Sequence, residues 1–371
     1  MVRELTDGST AIARGALDAG CDFFAGYPIT PASPILAAML RELPKVGGVG
    51  IQAEDEIASI GMCVGATMAG SRAMTATSGP GISLYSETVG LAIMGEVPLV
   101  IVDVQRLGPA TGGATTTGQG DVQFVRWGTA GGYPVIALAP SSVAECYSLT
   151  RAAFDLAERF RCPVFVLTDK ELNTTLNTVD PETWSVPGVR RRATTEGGEG
   201  FRPYRYEPFA AVPPMAHYGE VPGLRFTGST HDERAFITKD PSTVGRLNRH
   251  LAAKIEDNRA EIELVTADLE DGADTLLVSY GVTAGAMRDA VRRARSEGRK
   301  VSALTVHSLW PVPETALGAA LAGVRRVVVA ELNLGQYRRE VERLAGGREV
   351  VGVHRVDGEL IAPEELLEAL A

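Results

Sequence analysis

Four short stretches of this sequence place polar side chains directly after apolar runs. Thr30 lies between two prolines in "YPITP", acids stand together in "EDE" at 54–56, "TSGPG" fills 77–81, and Arg106 follows "PLVIVDVQ". A carboxylate can accept a hydrogen bond or exchange a proton, and a guanidinium binds a carboxylate through two parallel hydrogen bonds. Polar turns at the ends of apolar strands are where α/β folds build their sites.

Each stretch taken alone has a plainer structural interpretation. The acids at 54–56 would start a helix, where the helix dipole favours negative charge. Arg106 would be a surface cation, and "TSGPG" would be a tight turn. The prolines around Thr30 exclude a helix interior, because each fixes its own φ and removes a backbone donor. The prolines hold the Thr30 hydroxyl in a rigid turn. No single stretch indicates a site by itself, and only the combination of the four does.

Familiar motifs for phosphate, dinucleotide, zinc and serine-nucleophile chemistry do not occur. The sequence has no GxxxxGK[ST], no complete GxGxxG, no HExxH, no GxSxG and no CxxC. The histidines show no metal-ligand spacing, so no metal site is expected on this chain. The cysteines are predicted to be buried free thiols that hold neither zinc nor an iron–sulfur cluster; they are Cys21, Cys63, Cys146 and Cys162.

The composition is that of an ordinary globular protein of 371 residues with a net charge of −10. That charge argues against a nucleic-acid or anionic-membrane surface. No apolar run approaches the ~18 residues of a transmembrane helix. We therefore expect a cytoplasmic enzyme.

Strand-like and helix-like runs alternate in the first half of the chain. Buried parallel strands are predicted at 98–104 and 162–169, with an amphipathic helix at 141–160 between them. A further helix is predicted at 54–70. This βα alternation indicates an α/β, doubly wound domain over residues 1–188.

The second half begins with a change of composition. Residues 189–265 are expected to be a proline-rich connection, packed across a surface, followed by a helix at 241–264. Three βα repeats then indicate a small, mostly parallel sheet in residues 266–371. One of its strands is predicted over 299–309.

In combination, the stretches resemble the alpha subunit of the 2-oxoacid:ferredoxin oxidoreductases, which are thiamine-diphosphate enzymes acting on 2-oxoglutarate, pyruvate or 2-oxoisovalerate. The resemblance covers nearly the whole chain. "YPITPASPI", "EDEIASIGMCVGATMAG", "TSGPGISL", "VDVQRLGPATGG", "QGD", "RCPVFVLTDKEL", "SLWPVP", "ELNLGQ" and "ELIAPEELL" stand in the family's order. It implies that 1–188 is the thiamine pyrimidine-binding domain and that 266–371 is similar to the last domain of transketolase.

The resemblance also implies roles for individual residues. Catalytic roles fall to Glu56, Thr30 and Arg106: the acid hydrogen-bonds the pyrimidine ring, and the other two bind the substrate carboxylate. Glu56 stands nine and fourteen residues before two glycines, as in thiamine enzymes, whereas Glu54 does not and remains the alternative. The implied cofactor contacts are Tyr27, Pro28, Ile29, Glu56, Ser78 and Gly79.

No "GDG", the thiamine diphosphate–magnesium signature, occurs in this sequence. The resemblance therefore implies a beta subunit that carries the diphosphate–Mg²⁺ site and a [4Fe-4S] cluster. It implies coenzyme A as co-substrate, ferredoxin as electron acceptor, and a heterodimer or α2β2 assembly. The expected reaction converts a 2-oxoacid and coenzyme A to acyl-CoA and CO2, reversibly, while ferredoxin is reduced.

Two other functions stay open from sequence. The first alternative is a non-catalytic structural subunit of a thiamine enzyme complex. The second is a subunit of a non-oxidative thiamine-dependent decarboxylase. The presence of Thr30, Glu56 and Arg106 together argues against the first, and the separate-subunit organisation with "ELNLGQ" argues against the second.

Thr116 bears on the choice of substrate. Family members that take 2-oxoglutarate often carry Lys or Arg in "TGLPT(K/R)", and Thr116 is the matching residue of "TGGATT" here. A neutral hydroxyl cannot replace a charge-assisted pair worth ~1.5–3 kcal/mol. We therefore expect a preference for a 2-oxoacid with an uncharged side chain.

Overall fold

The computed structural model describes residues 3–184, 188–198 and 200–370. The expected domains 1–188, 189–265 and 266–371 thus include positions outside the described residues, namely 1, 2, 185–187, 199 and 371.

Strands of the described residues form sheets of seven, five and two strands. They are β1 (Glu4–Thr6), β2 (Phe23–Gly26), β3 (Val49–Gln52), β4 (Ala73–Thr77), β5 (Leu99–Gln105), β6 (Ile136–Leu138), β7 (Pro163–Asp169), β8 (Asn177–Val179), β9 (Val265–Asp268), β10 (Thr275–Ser279), β11 (Val301–Val306), β12 (Ser308–Trp310), β13 (Arg326–Glu331) and β14 (Glu349–His354).

The α-helices of the described residues lie between these strands. They are α1 (Gly8–Asp18), α2 (Ser33–Glu42), α3 (Glu56–Met68), α4 (Gly79–Leu84), α5 (Ser86–Met94), α6 (Val122–Trp127), α7 (Val143–Phe160), α8 (Lys170–Thr174), α9 (Pro241–Glu256), α10 (Arg259–Ile262), α11 (Thr283–Ser296), α12 (Glu314–Ala320), α13 (Arg338–Leu344) and α14 (Pro363–Ala369). Short 3-10 turns occupy Leu43–Val46 and Pro181–Trp184.

The first domain is doubly wound, as predicted. Its sheet has the order β12-β6-β7-β5-β4-β2-β3, and every pair except β12–β6 is parallel. Residues of α1, α2 and α7 pack on one face, and residues of α3 and α5 pack on the other. The apolar runs predicted as strands at 98–104 and 162–169 are the wholly buried β5 and β7 at its centre.

Local capping decides where the helices begin. The Asp55 carboxylate accepts the Ala58 N–H at 2.7 Å, so α3 starts at Glu56 rather than at 54. Ser142 caps α7 in the same way by accepting the Glu145 N–H at 3.2 Å. The predicted helices at 54–70 and 141–160 are therefore confirmed. Each begins one residue after its cap, at Glu56 and Val143.

The proline-rich connection packs across the first domain, as expected. The Arg161 guanidinium is buried and donates to the carbonyls of Pro203 and Pro213. The Tyr204 hydroxyl donates to the Gly95 carbonyl at 3.2 Å. These contacts fix an irregular segment to the rim of the sheet before α9 begins.

The second domain has the order β14-β13-β10-β11-β9, parallel except for the antiparallel edge strand β9. The single strand predicted over 299–309 is wrong: the chain turns at His307, and β12 pairs with β6 of the first sheet. The His307 and Ser308 N–H groups donate to the Leu264 carbonyl at this crossing. One hydrophobic core includes Ile101, Trp310 and Val329, so the two domains share packing.

All of the cysteines are free and buried, as predicted. None of the described helices is both long and apolar enough to span a membrane.

Candidate active site

The polar turns that the sequence singled out meet at one edge of the first sheet. The strands β5, β4, β2 and β3 are neighbours and run parallel, so their carboxyl ends lie together. Thr30 follows β2, Glu56 follows β3, Gly79 follows β4, and Arg106 follows β5. The parallel topology therefore gathers residues from four distant parts of the chain, as expected for an α/β site.

Arg106 and Thr30 are in direct contact. The Arg106 Nη1 donates to the Thr30 carbonyl at 2.6 Å, which ties the end of β5 to the turn after β2. Arg106 is buried, and its Nε meets no hydrogen-bond acceptor among the described residues. The Thr30 residue itself is exposed. This contact fixes the guanidinium while leaving part of its donor set unused.

The three adjacent acids have three different environments. Glu54 is exposed, Asp55 caps α3, and Glu56 is only 8% exposed. The Glu56 carboxyl lies against the first turn of α4, where a Cβ at Gly81 would come within 3.0 Å of Glu56 Oε1 and 2.0 Å of Thr77 Oγ1. Glycine at this position therefore leaves room for the Glu56 carboxyl.

A cavity of about 540 Å³ opens between the two domains at this edge. Gly79, Arg106 and Asp121 line it from the first domain, and Asn333 and Gln336 line it from the second. Arg106 and Asp121 are the charged residues among its described lining. Much of the remaining wall is apolar, supplied by Leu107, Pro109, Ala110, Phe124, Leu332, Leu334 and Val356.

The sequence analysis missed two acids near Arg106: Asp103, which is buried in β5, and Asp121, which is half-buried at the cavity wall. Asp103 lies in β5 and is fully buried, and neither of its oxygens meets a donor in hydrogen-bonding geometry within the described residues. Burial and the neighbouring Asp121 raise the pKa of Asp103 well above its ordinary value. Burial also raises the pKa of Asp121, to about 6. The available signal was a lone acid inside the apolar run "VIVDV".

Amide side chains join the cavity walls across the domain boundary. The Asn333 Nδ2 donates to the Gln119 carbonyl at 2.7 Å and to the Tyr280 hydroxyl at 2.8 Å. The Gln119 N–H donates to the Leu332 carbonyl at 2.9 Å. Asn333 belongs to "ELNLGQ", so this stretch holds the second domain against the loop that carries Asp121.

The remaining candidate residues lie around this site rather than at its centre. Tyr27 and Pro28 are exposed, while Ile29 packs against the first core. Ser78 is buried beside Gly79, with no hydrogen-bond partner for its hydroxyl among the described residues. Thr116 does not line the cavity. Its methyl group lies where a Cβ at Gly358 would be, so it packs against the second domain.

The residues fit a cofactor ring that needs a carboxylate partner. Thr77 Oγ1 and Ser78 Oγ are buried polar atoms without partners in the described chain, and both lie at the glycine turn beside Glu56. Arg106 would hold an anionic group next to that ring. The described residues contain no group of three or more His, Cys, Asp or Glu side chains placed to hold a metal ion.

Comparison with known proteins gives two family models along the chain. Residues 14–246 match the thiamine-diphosphate-binding domain of pyruvate flavodoxin/ferredoxin oxidoreductases, and residues 273–366 match core domain II of pyruvate:ferredoxin oxidoreductase.

Similar proteins match over their whole length. The 2-oxoglutarate synthase subunit KorA of Methanocaldococcus jannaschii is 44% identical, with 99% of each chain covered. The ketoisovalerate oxidoreductase subunit VorB of Methanothermobacter thermautotrophicus is 37% identical, with 100% of this chain and 97% of the relative covered.

Two solved structures bear on the fold. The 2-oxoglutarate:ferredoxin oxidoreductase from Magnetococcus marinus, solved with 2-oxoglutarate, coenzyme A and succinyl-CoA bound, superposes with a TM-score of 0.93 at 33% identity. The match covers 99% of this chain but 64% of that one, so this chain spans somewhat less than two thirds of that protein. A split-gene transketolase superposes with a TM-score of 0.53 at 12% identity, covering 98% of this chain and 95% of the other. This second likeness bears out the transketolase-like fold alone.

Proposed function

The chain belongs to the 2-oxoacid:ferredoxin oxidoreductase family, as an alpha subunit, and we propose that it supplies one half of an active site shared with a beta subunit. The complete enzyme converts a 2-oxoacid and coenzyme A to acyl-CoA and CO2 and passes the electrons to ferredoxin. The observation that carries this proposal is that Thr30, Glu56 and Arg106 follow neighbouring parallel strands of one sheet, with the Arg106 guanidinium bonded to the Thr30 carbonyl.

Each residue of this edge has a role that its chemistry supports. Arg106 binds the substrate carboxylate, because its guanidinium is held by Thr30 and still has unused donors. The exposed Thr30 hydroxyl adds a hydrogen bond to the same substrate. Glu56, and not Glu54, is the acid for the pyrimidine ring, because it is the one that is buried and faces the glycine turn.

Thiamine diphosphate, when bound, supplies the electron sink that decarboxylation of a 2-oxoacid requires. Glu56 would contact its pyrimidine ring, with Tyr27, Pro28, Ile29, Ser78 and Gly79 forming the surrounding contacts. A beta subunit would hold the diphosphate–Mg²⁺ site and the [4Fe-4S] cluster, in a heterodimer or an α2β2 assembly. Ferredoxin would dock on that complex.

The substrate we propose is a 2-oxoacid with an uncharged side chain. Arg106 is the one cation among the described residues that line the cavity. Thr116, at the position where family members for 2-oxoglutarate often have Lys or Arg, packs outside the cavity against Gly358 and supplies no charge. A second candidate is 2-oxoglutarate, favoured by the names of relatives that are 41–44% identical to this chain. A cation from the beta subunit would then bind the distal carboxylate.

Reconstitution with the beta subunit tests this function. The complex should reduce ferredoxin only when a 2-oxoacid and coenzyme A are both present, and iron should be found in the complex but not in the isolated alpha chain. Arg106→Gln should raise KM for the 2-oxoacid at least tenfold, whereas Arg159→Gln, at a half-buried position on α7, should not. Release of CO2 without coenzyme A or acceptor would instead identify a non-oxidative decarboxylase.

A comparison of three substrates tests the side-chain preference. We expect kcat/KM for pyruvate or 2-oxoisovalerate to exceed that for 2-oxoglutarate by roughly tenfold. Thr116→Lys should shift this ratio toward 2-oxoglutarate, and Thr115→Lys on the adjacent exposed position is the control. A tenfold preference of the wild-type complex for 2-oxoglutarate would contradict the Thr116 argument and support the second candidate.

A further inference from the structure

Aspartate stands immediately before five of the described helices, and in four of them its carboxyl caps the helix. Those four have an extended backbone and accept the N–H three positions on; they are Asp7, Asp55, Asp169 and Asp240. Asp121, before α6, is the exception: its φ is −95° and its ψ is 0°, and its carboxyl accepts no N–H from the described first turn of α6. Aspartate is a favoured capping residue, so another contact must hold Asp121 in this conformation.

Gln336 of the second domain supplies the missing cap. Its Oε1 accepts the Gln123 N–H at 2.9 Å in the first turn of α6, where a capping side chain would otherwise bind. Its Nε2 donates to the Gly120 carbonyl at 2.7 Å. The Gln336 N–H in turn donates to Asn333 Oδ1 at 2.8 Å, which holds the residue in place. One side chain thus bonds the backbone on both sides of Asp121.

Further hydrogen bonds fix the backbone next to Asp121. The Asp121 N–H donates to Gln105 Oε1 at 3.2 Å, and the Trp310 Nε1 donates to the Val122 carbonyl at 2.9 Å. Trp310 belongs to "SLWPVP" and Gln336 to "ELNLGQ", two stretches that lie far from Asp121 in the sequence and have no role in the proposed chemistry. Both stretches therefore act on the segment that carries Asp121.

The Asp121 carboxyl is left unused by the helix and lies at the cavity. Asp121 lines the cavity wall, and a Cβ at Gly79 would lie 4.0 Å from Asp121 Oδ2. This oxygen is buried and meets no donor in hydrogen-bonding geometry among the described residues. A buried acceptor without a donor is costly, so a bound molecule that donates to it would offset that cost.

The chemistry of the reactants limits which molecule can donate to this carboxyl. A carboxylate accepts hydrogen bonds and, when ionised, has none to give. Pyruvate and 2-oxoisovalerate at neutral pH carry acceptor oxygens and no N–H or O–H donor. Thiamine diphosphate carries an amino group on its pyrimidine ring, and coenzyme A carries amide N–H and hydroxyl groups. A donor to Asp121 can therefore come from the cofactor or the coenzyme but not from these substrates.

We propose that Gln336 is a positioning residue: it caps α6 from the second domain and so leaves the Asp121 carboxylate at the cavity wall, where it accepts a hydrogen bond from an N–H or O–H group of the bound cofactor or coenzyme. This inference rests on the proposed function. Without Gln336, Asp121 would take an extended backbone and cap α6 itself, as the four other aspartates do for their helices. Only hydrogen bonds change, so Gln336 and Asp121 bind and orient rather than react.

A crystal structure of the complex with Gln336→Met tests the positioning without turnover. We expect Asp121 to take an extended backbone and to accept the Phe124 N–H, three positions on, so that its carboxyl leaves the cavity wall. Gln336→Glu keeps an acceptor for the Gln123 N–H and should leave Asp121 in place. An Asp121 carboxyl that stays at the wall in Gln336→Met, or leaves it in Gln336→Glu, would overturn the proposal.

Ligand binding to the complex tests the acceptor role, at pH 8, above the value of about 6 to which burial raises the pKa of Asp121. Asp121→Ala should raise by roughly tenfold either the Kd of thiamine diphosphate, measured by calorimetry, or the KM of coenzyme A, because a hydrogen bond to a charged group is lost. The first result assigns the donor to the cofactor and the second to the coenzyme. If both constants stay within about twofold of the wild type, Asp121 accepts from neither and the proposal is wrong.

A double-mutant cycle tests whether Gln336 acts through Asp121. Gln336→Met should raise the same constant several-fold in the wild type and by less than about twofold in the Asp121→Ala background. Arg288→Met is the matched control and should change neither constant. Arg288 Nη1 donates to Ser141 Oγ at 3.1 Å across the same domain boundary, and neither residue belongs to the described lining of the cavity. Equal effects of Gln336→Met in both backgrounds would show that it acts independently of Asp121, against the proposal.

Failure of the proposed function would be seen separately. A complex that binds thiamine diphosphate but does not reduce ferredoxin with a 2-oxoacid and coenzyme A contradicts the proposed function. The position of Asp121 in the two Gln336 variants is independent of that result and still decides whether Gln336 holds it.

Discussion

Charged groups lie at both ends of the strands of the first sheet, and the two ends differ in whether these groups have partners of opposite charge. We call the two ends the amino edge and the carboxyl edge. At the amino end of β5 and β7, Glu96 accepts from His250 Nε2 at 3.0 Å and from Lys254 Nζ at 2.8 Å. Arg161 donates to the Glu96 carbonyl at 3.2 Å. We call this group the Glu96 cluster. At the carboxyl end, Asp103 and Arg106 keep polar atoms without partners among the described residues.

The carboxyl pKa values shift in opposite directions at the two ends of the strands. Burial alone would raise the pKa of Glu96, but Lys254 and His250 hold it well below its ordinary value. Burial and a like charge raise the pKa values of Asp103 and Asp121.

The Glu96 carboxylate has two basic partners on α9 and so fixes that helix to the first domain, although Glu96 Oε1 and Arg161 Nη2 lack hydrogen-bond partners among the described residues. Asp103 and Arg106 have no partner of opposite charge within ion-pair distance among the described residues, and Arg106 lies at a cavity where a ligand can supply one.

The largest effect is expected at the carboxyl edge, on catalysis. Glu56→Gln keeps the size of the side chain but removes the acid that we propose contacts the cofactor ring. We expect kcat of the reconstituted complex to fall by ~10²–10⁴-fold with little change in Tm. Glu54→Gln is the control, since Glu54 is exposed, and it should stay within about twofold of the wild type. The reverse ranking would transfer the role to Glu54.

The next effect is expected at the amino edge, on stability. Glu96→Gln leaves Lys254 buried without its counterion, which typically costs ~3–5 kcal/mol. Tm of the complex should fall, while kcat per folded enzyme stays near the wild-type value. Glu261→Gln, which breaks the exposed pair with Arg159, should cost less than about 1 kcal/mol. Loss of kcat without loss of Tm in Glu96→Gln would erase the distinction between the two edges.

The pH dependence of stability should have opposite signs at the two edges. A lowered carboxyl pKa stabilises the fold above its unfolded value, so the contribution of Glu96 is lost as the pH falls below about 4.5. A raised pKa does the reverse, so ionisation of Asp121 costs stability increasingly as the pH rises from about 3.8, its ordinary pKa, to about 6, and the cost is constant above that. Asp121→Asn should therefore gain ~1–3 kcal/mol at pH 8 and about half as much at pH 5.

Thermal melts of the complex at both pH values measure this contrast. Burial also raises the pKa of Asp169 to about 6, so Asp169→Asn should show a pH dependence of the same sign. A stabilisation of Asp121→Asn that is equal at pH 5 and pH 8 would show that packing, not charge, is responsible.

Local signals explain why much of this site is readable from the sequence. The prolines predict the turn around Thr30, and the apolar and small residues of 54–70 predict α3, although its start at Glu56 became clear only from the Asp55 cap. The choice of Glu56 over Glu54 rests on its spacing to two glycines, as in thiamine enzymes, and stays a prediction. β5 and β7 are apolar runs bounded by polar residues. Each of these features is set by neighbours within about fifteen positions along the chain.

Features formed by distant segments were not readable in this way. Asp103 meets Asp121 only because the loop after β5 returns to the strand end, and Asn333 reaches Gln119 from another domain. β12 leaves its own domain to pair with β6, a choice that the sequence around Trp310 does not encode by periodicity. The pairing of such segments depends on the whole packed structure.

The smallest effect on catalysis is expected at Thr30, whose backbone carbonyl has a structural contact while its side chain faces the solvent. The Thr30 carbonyl accepts the Arg106 Nη1 at 2.6 Å and holds the turn, whereas the residue is exposed and its hydroxyl is free to meet the substrate. Thr30→Val removes the hydroxyl and keeps the backbone contact and the branched shape. One neutral hydrogen bond is worth about 1 kcal/mol, so kcat/KM for the 2-oxoacid should fall roughly threefold to tenfold with Tm unchanged. Thr30→Ser restores the hydroxyl and should recover most of that loss. If Thr30→Val and Thr30→Ser were equally impaired, the methyl group would matter rather than the hydroxyl, and Thr30 would belong with the packing residues of the sheet.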